Sequence, residues 1–103
     1  MQHVISIKRL REFWQKHPDA EEPLRSWYRK ARKASWRQIR DVRVDYPHAD
    51  AVIVASGRPV TVFNIGGNKY RLIVDIRYRS RVMYVCTVLT HAVYSRNRWK
   101  NEL

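Results

Sequence analysis

The sequence is poor in several things at once. It has a single cysteine, Cys86, so no internal disulfide can form and a reducing cytoplasm is the expected setting. Three glycines and four prolines in 103 residues leave no linker or low-complexity tract, and no internal repeat is present. No apolar run approaches the ~18 residues that a membrane span needs. The opening stretch, "MQHVISIKRL", lacks the longer apolar core and small-residue cleavage site of a signal peptide. Acidic residues are also few, and no cluster of them suits Mg²⁺. His3, His17, His48, His91 and Cys86 show no pairing at metal-ligand spacing, so neither a metal nor another cofactor is expected. No glycine-rich phosphate loop appears, which excludes nucleotide hydrolysis of the P-loop kind.

Positive charge is what the chain has in excess. Twenty-one Lys and Arg stand against nine Asp and Glu, a net charge of +12. Self-repulsion on this scale destabilises a compact chain, and a polyanion would offset it. Nucleic acid fits that role, because neutralising phosphates releases counterions. A membrane surface would instead call for a basic helix with one clean apolar face and little else. The apolar fraction of 45% and twelve aromatic side chains indicate a packed globule. The length suits one domain, residues 1–103, around one core.

Periodicity divides the chain in two. "HVISI" (3–7) is a short β-branched run, and Ser6 is placed to cap a helix with Ile7, Leu10, Phe13 and Trp14 on one face. Pro18 breaks that helix. Asp19 and Glu22 have capping-box spacing before a second helix that turns Leu24, Trp27, Tyr28 and Ala31 inward. Its other face carries Arg25, Arg29, Lys30, Arg32 and Lys33. Ser35 and Gln38 repeat the capping-box pattern ahead of Trp36, Ile39 and Val42, and Pro47 ends that segment. From residue 51 the pattern is strand-like: 51–55 and 60–65 around "SGRP", a "GGN" turn at 66–68, a long strand at 69–78 and a last strand at 82–89. Helices followed by an antiparallel meander make an α+β fold, with the helices on one face of a curved sheet.

Alternation in "KYRLIVDIRYR" puts Tyr70, Leu72, Val74, Ile76 and Tyr78 on the core face. Lys69, Arg71, Ile73, Asp75 and Arg77 fall on the other, read as a cationic face for phosphate. A solvated outer face is the plain alternative, and the i, i+2 spacing of Asp75 and Arg77 is not ideal for pairing. Cys86, mid-strand in an apolar run, reads as a small core residue. If the chain turns helical after Leu89, His91 and Tyr94 share a face. An imidazole can exchange a proton with a ribose 2′-hydroxyl, a cation can stabilise a pentacoordinate phosphorane, and a donor can protonate the departing 5′-oxygen. His91, Arg71 with Lys69, and Tyr94 suit these roles. Spacing alone equally allows His91 to close the strand end and Tyr94 to pack.

Taken together, "HVISIKRLREFWQKHPDAEEPLRSWYRKARKASW", "VFNIGGNKYRLIV" (62–74) and "LTHAVY" (89–94) resemble the HigB-type toxins of the RelE-like superfamily. The resemblance implies a RelE-like fold: two or three N-terminal helices packed on a curved antiparallel sheet of four or five strands. It implies a ribosome-dependent endoribonuclease that cuts the codon in the ribosomal A site without a metal ion. A cognate helix-turn-helix antitoxin would be its protein partner. By position, Arg71 and His91 match the recurrent residues, Tyr94 follows, and Lys69 matches many members. Asn64 and Asn68 match the asparagines flanking the turn. With Arg77, Arg79, Arg29 and Lys33 they form the expected RNA-binding set. Where the family motif usually reads T-H-A-E-Y-D, Val93 and Ser95 replace both acids, and Cys86 stands where an arginine is common. A relative that grips RNA or the ribosome without cutting is the alternative. A small structural protein of ribosomal RNA is a third reading, resting on charge alone.

Overall fold

A computed structural model describes residues 3–103. In chain order they form β1 (His3–Ile5), α1 (Ile7–Lys16), α2 (Glu21–Lys33), α3 (Ile39–Asp45), β2 (Asp50–Ile53), β3 (Pro59–Ile65), β4 (Tyr70–Arg77), β5 (Val82–Thr90), α4 (His91–Ser95) and α5 (Trp99–Glu102), with a 3-10 turn at Pro18–Ala20. Strands β2 to β5 make an antiparallel meander. Gly66 and Gly67 turn β3 into β4 at φ values of 63° and 70°, a conformation that glycine adopts without steric cost.

The sheet order is β1-β5-β4-β3-β2, and β1 lies parallel to β5. The sheet is therefore mixed, not wholly antiparallel. Parallel pairing needs a long crossover, here everything from α1 to β4, and no local sequence pattern announces it.

The helix layer forms as its periodicity dictates. Leu10 and Trp14 of α1 and Leu24, Trp27 and Ala31 of α2 are buried against Phe63, Leu72, Val74 and Met83 of one sheet face. The Trp27 and Phe63 rings meet edge to face, 5.4 Å between centroids. The helix starts follow the capping signals only in part. Ser6 is the N-cap of α1, at φ 126°, but makes no side-chain cap bond. Ala20 and Gln38 are the N-caps of α2 and α3, also without side-chain bonds. Asp19 is turned toward the sheet, and the Asp41 carboxylate accepts from the Arg37 N–H at 2.9 Å. Trp36 precedes α3 and is buried in the core, its indole N–H donating to Asp45 at 2.9 Å.

The opposite sheet face departs most from the alternation pattern. Ile73 is fully buried, Arg71 is 8% exposed and Asp75 4%. This face carries a second apolar cluster of Val54, Val60, Val62, Ile73 and Cys86, covered by Trp99. The C-terminal segment folds back over it, and Ala55 N–H donates to Lys100 C=O at 2.9 Å. A four-residue helix has no readable period, so the sequence does not reveal the cover. Asp75 and Arg77 do pair, with two contacts of 3.0 Å. Cys86 is the extra residue of a bulge in β5, since Ile73 pairs with Thr87 and Val74 with Val85. It is buried, and burial pushes its thiol pKa up. Among the described residues, no helix is long and apolar enough to cross a membrane.

Candidate active site

The meander brings the start of β4 beside the end of β5. Tyr70 pairs with Thr90 and Arg71 with Leu89, while Asn64 of β3 is the partner of Arg71 on its other side. The ladder continues past the strands, because the His91 N–H donates to Lys69 C=O at 2.9 Å. Thr90 then caps α4, its hydroxyl accepting from the Val93 N–H at 3.3 Å. Capping is what Thr favours at this position. The turn after β5 is therefore helical, as the His91 and Tyr94 spacing required. The backbone thus sets Lys69 beside His91, and the Arg71 side chain meets Tyr94, at one corner of the sheet, while the Lys69 ammonium turns to Asp19 on the helix side.

Arg71 is held by neutral groups. Its Nη2 donates to the Asn68 side-chain oxygen at 2.6 Å, and its Nη1 to the Asn68 and Tyr70 carbonyls at 3.2 Å each. Three of the five N–H donors of a guanidinium are thus engaged. The guanidinium lies 5.4 Å from the centre of the Tyr94 ring, a cation–π distance. Tyr94 in turn stacks on Trp99 with 5.3 Å between centroids, and Trp99 Nε1 donates to Tyr94 C=O at 3.1 Å. Burial raises the Tyr94 pKa and Asp50 adds to the effect, while Arg71 acts against both. The phenol stays protonated and able to donate.

His91 is exposed, and its Nδ1 lies 3.2 Å from the Ser95 hydroxyl. The same hydroxyl donates to His91 C=O at 2.9 Å. Lys69 Nζ is 3.1 Å from Asp19, whose other oxygen accepts from the Tyr70 hydroxyl. Those contacts, Tyr70 first and Lys69 second, hold the Asp19 carboxyl below its ordinary range. Tyr70 is raised in return.

The remaining basic residues of the expected RNA-binding set lie elsewhere. Arg77 is at the far end of β4, bound to Asp75, and exposed Arg79 is in the turn beyond it. Arg29 and Lys33 are exposed on α2, which packs on the other sheet face, and Arg29 donates to Glu22 at 3.2 Å. Sequence reasoning passed over three contributors. Asp19 resembled a helix cap, Ser95 only a missing acid, and Trp99 lay beyond any readable period. The signal for Ser95 is its i+4 distance from His91.

The helices-on-sheet architecture with its five-stranded mixed sheet is that of the RelE-like proteins. Residues 20–97 match the family model of the HigB toxin, described as the RelE-like toxic component of a toxin–antitoxin system, and the chain belongs to that family. It is 25% identical over 92 residues to the mRNA interferase toxin HigB of Escherichia coli strain K12, covering 89% of this chain and 86% of the relative. Its similarity to the mRNA interferases HigB of Escherichia coli O157:H7 and of Shigella flexneri has the same extent.

Proposed function

We propose that this toxin is an endoribonuclease that cuts translated mRNA in the ribosomal A site, in the cytoplasm, until a cognate helix-turn-helix antitoxin neutralises it. One observation carries the reading. Arg71 is 8% exposed, and its hydrogen bonds go to neutral oxygens. A charge so far removed from water is costly unless an anion meets it. Two donors remain for a phosphate, the bidentate geometry that guanidinium favours.

The proton count at His91 supplies the base. Ser95 Oγ has one hydrogen, and the His91 carbonyl at 2.9 Å takes it. The oxygen then accepts from Nδ1–H, which assigns the free lone pair to Nε2. In the scheme, Nε2 removes the proton of the ribose 2′-hydroxyl, and the 2′-oxygen forms a bond to phosphorus. Arg71 stabilises the phosphorane charge, and the Tyr94 hydroxyl orients a phosphate oxygen. The bond from phosphorus to the 5′-oxygen breaks, and Lys69 gives that oxygen its proton. The products are a 2′,3′-cyclic phosphate and a 5′-hydroxyl. No step calls on a metal ion. The ribosome fixes the message in place, which supplies the proximity that an open site lacks.

Induction of the wild type in growing cells tests this. Growth arrest with new 5′ ends inside translated messages, seen by primer extension, is the expected result. The Arg71→Ala, His91→Ala double variant should produce neither. Toxicity that survives both substitutions overturns the assignment. Growth arrest without any cut favours the relative that binds without cleaving.

A further inference from the structure

The end of the sheet remote from Arg71 carries a second cationic cleft, of about 310 Å³. Arg9 of α1, Arg58 of the β2–β3 turn, Asp75 and Arg77 of β4, Tyr84 of β5 and Leu103 line it. Asp75, 4% exposed, is its anchor. Arg77 reaches both carboxylate oxygens at 3.0 Å, and Arg58 Nη1 reaches one of them at 3.0 Å. Arg77 also lies over the Tyr84 ring, 5.6 Å from its centre. Arg9 donates to Cys86 C=O from the neighbouring edge of β5.

The charges do not balance. Three guanidinium groups line the cleft, and even with the terminal carboxylate of Leu103 beside that of Asp75 at least one positive charge is unmatched. Arg58 Nε is buried without a hydrogen-bond partner, a cost to folding that no other contact of that atom offsets. A buried carboxylate that holds Arg77 in a fork and Arg58 by a single bond pre-organises both at little further entropic cost. Such an arrangement is built for an anion with several acceptor oxygens.

Its position says which anion. Asp75 and Arg77 share the strand face of Arg71, four and six residues further along β4. At ~3.3 Å per residue the two sites stand ~13–20 Å apart. That is about four to six nucleotides of a stacked strand at ~3.4 Å each, and fewer of an extended one. The intervening C-terminal segment carries exposed Arg96 and Arg98. We infer that the Arg9–Arg58–Arg77 cleft binds a phosphodiester of the same single-stranded RNA whose scissile phosphate lies at Arg71, several nucleotides away. This inference rests on the proposed RNA substrate, and makes the toxin a reader of strand length as well as a cutter.

Arg9→Gln is the clean variant, because Arg9 makes no bond to Asp75 and its loss leaves that carboxylate paired. The test measures binding of purified protein to a 2′-O-methylated 12-nucleotide RNA, which cannot be cut, by fluorescence anisotropy across salt concentrations. Relative to wild type, Arg9→Gln should bind several-fold more weakly at low salt. Its slope of log affinity against log salt should be shallower by about 0.7, the value for one single-strand phosphate contact. Arg58→Lys keeps the charge, so affinity should fall with the slope unchanged. A 3-nucleotide RNA, too short to span both sites, should show a smaller difference between Arg9→Gln and wild type than the 12-mer does. Equal affinity and slope of wild type and Arg9→Gln on the 12-mer overturn the inference. So does an acidic peptide of equal charge that binds more tightly than the RNA and loses that grip in Arg9→Gln, which assigns the cleft to a protein partner. Because the oligonucleotide cannot be cut, failure of wild type to cleave messages removes the catalytic reading and leaves this result standing.

Discussion

The Arg71 guanidinium lies 5.4 Å from the centre of the Tyr94 ring, and that ring is stacked on Trp99. A residue of the strand, one of the short helix and one of the C-terminal turn thus form a single column. In the proposed function the column sets where a phosphate is met, and it ties the site's geometry to the cover of the second core.

In the proposed scheme Arg71 acts by charge and by shape. Arg71→Ala should lower single-turnover cleavage on ribosomes by roughly 10²–10³-fold, the usual cost of removing a preorganised group that faces developing charge. Arg71→Lys keeps the charge but not the fork that bonds Asn68, and should fall between Ala and wild type. Circular dichroism should show both variants folded. A lysine variant no better than alanine would show that charge alone contributes nothing.

The proposed base His91 and its Ser95 partner should separate in their effects. Both residues are exposed, so neither substitution should move Tm appreciably. His91→Ala should cost about 10²–10⁴-fold in cleavage, the range for a general base. Ser95→Ala leaves the imidazole in place and frees its tautomer, and should cost up to about tenfold. Full activity in Ser95→Ala would remove the tautomer assignment and leave the base itself untested by that result.

Trp99 connects stability to the site. It is 4% exposed and packs over Val54, Val60, Ile73 and Cys86. Trp99→Ala should destabilise the fold by roughly 3–5 kcal/mol in urea titrations. Trp99→Phe should recover most of the stacking on Tyr94, and cleavage with it. If Trp99→Phe is as inactive as Trp99→Ala while folded, the ring stack is not what positions Tyr94.

Tyr46 supplies a pH signature. Burial, reinforced by neighbouring Asp45, pushes its pKa up to about 12. In the unfolded chain a tyrosine titrates near ~10. Between those values the native state keeps a proton that the unfolded state has lost. Stability therefore falls as pH rises through this window and is unaffected below it. Wild type should lose Tm from pH ~10 upward more steeply than Tyr46→Phe. Parallel Tm–pH curves for the two proteins would contradict the burial of that hydroxyl.

Much of this was legible in the linear sequence, and the reason is locality. The 3.6-residue period of Leu24, Trp27 and Ala31, the twofold period of Leu72, Val74 and Ile76, and the Gly66–Gly67 turn each depend on neighbours a few residues away. They determined the helix layer, the meander and the corner where Lys69 adjoins His91 and Arg71 meets Tyr94. The excess of basic residues likewise needs no structure to be read. Only the tertiary structure decided what surrounds each charge. Asp19 meets Tyr70 across 51 positions and Arg9 meets Cys86 across 77, contacts that no period encodes. A strand face that alternation marks as solvent-facing became half core, because Trp99 buries more apolar surface there than a four-residue helix could advertise. Arg71 was thereby moved from water into a nearly dry setting, where an uncompensated charge acts most strongly on a phosphate.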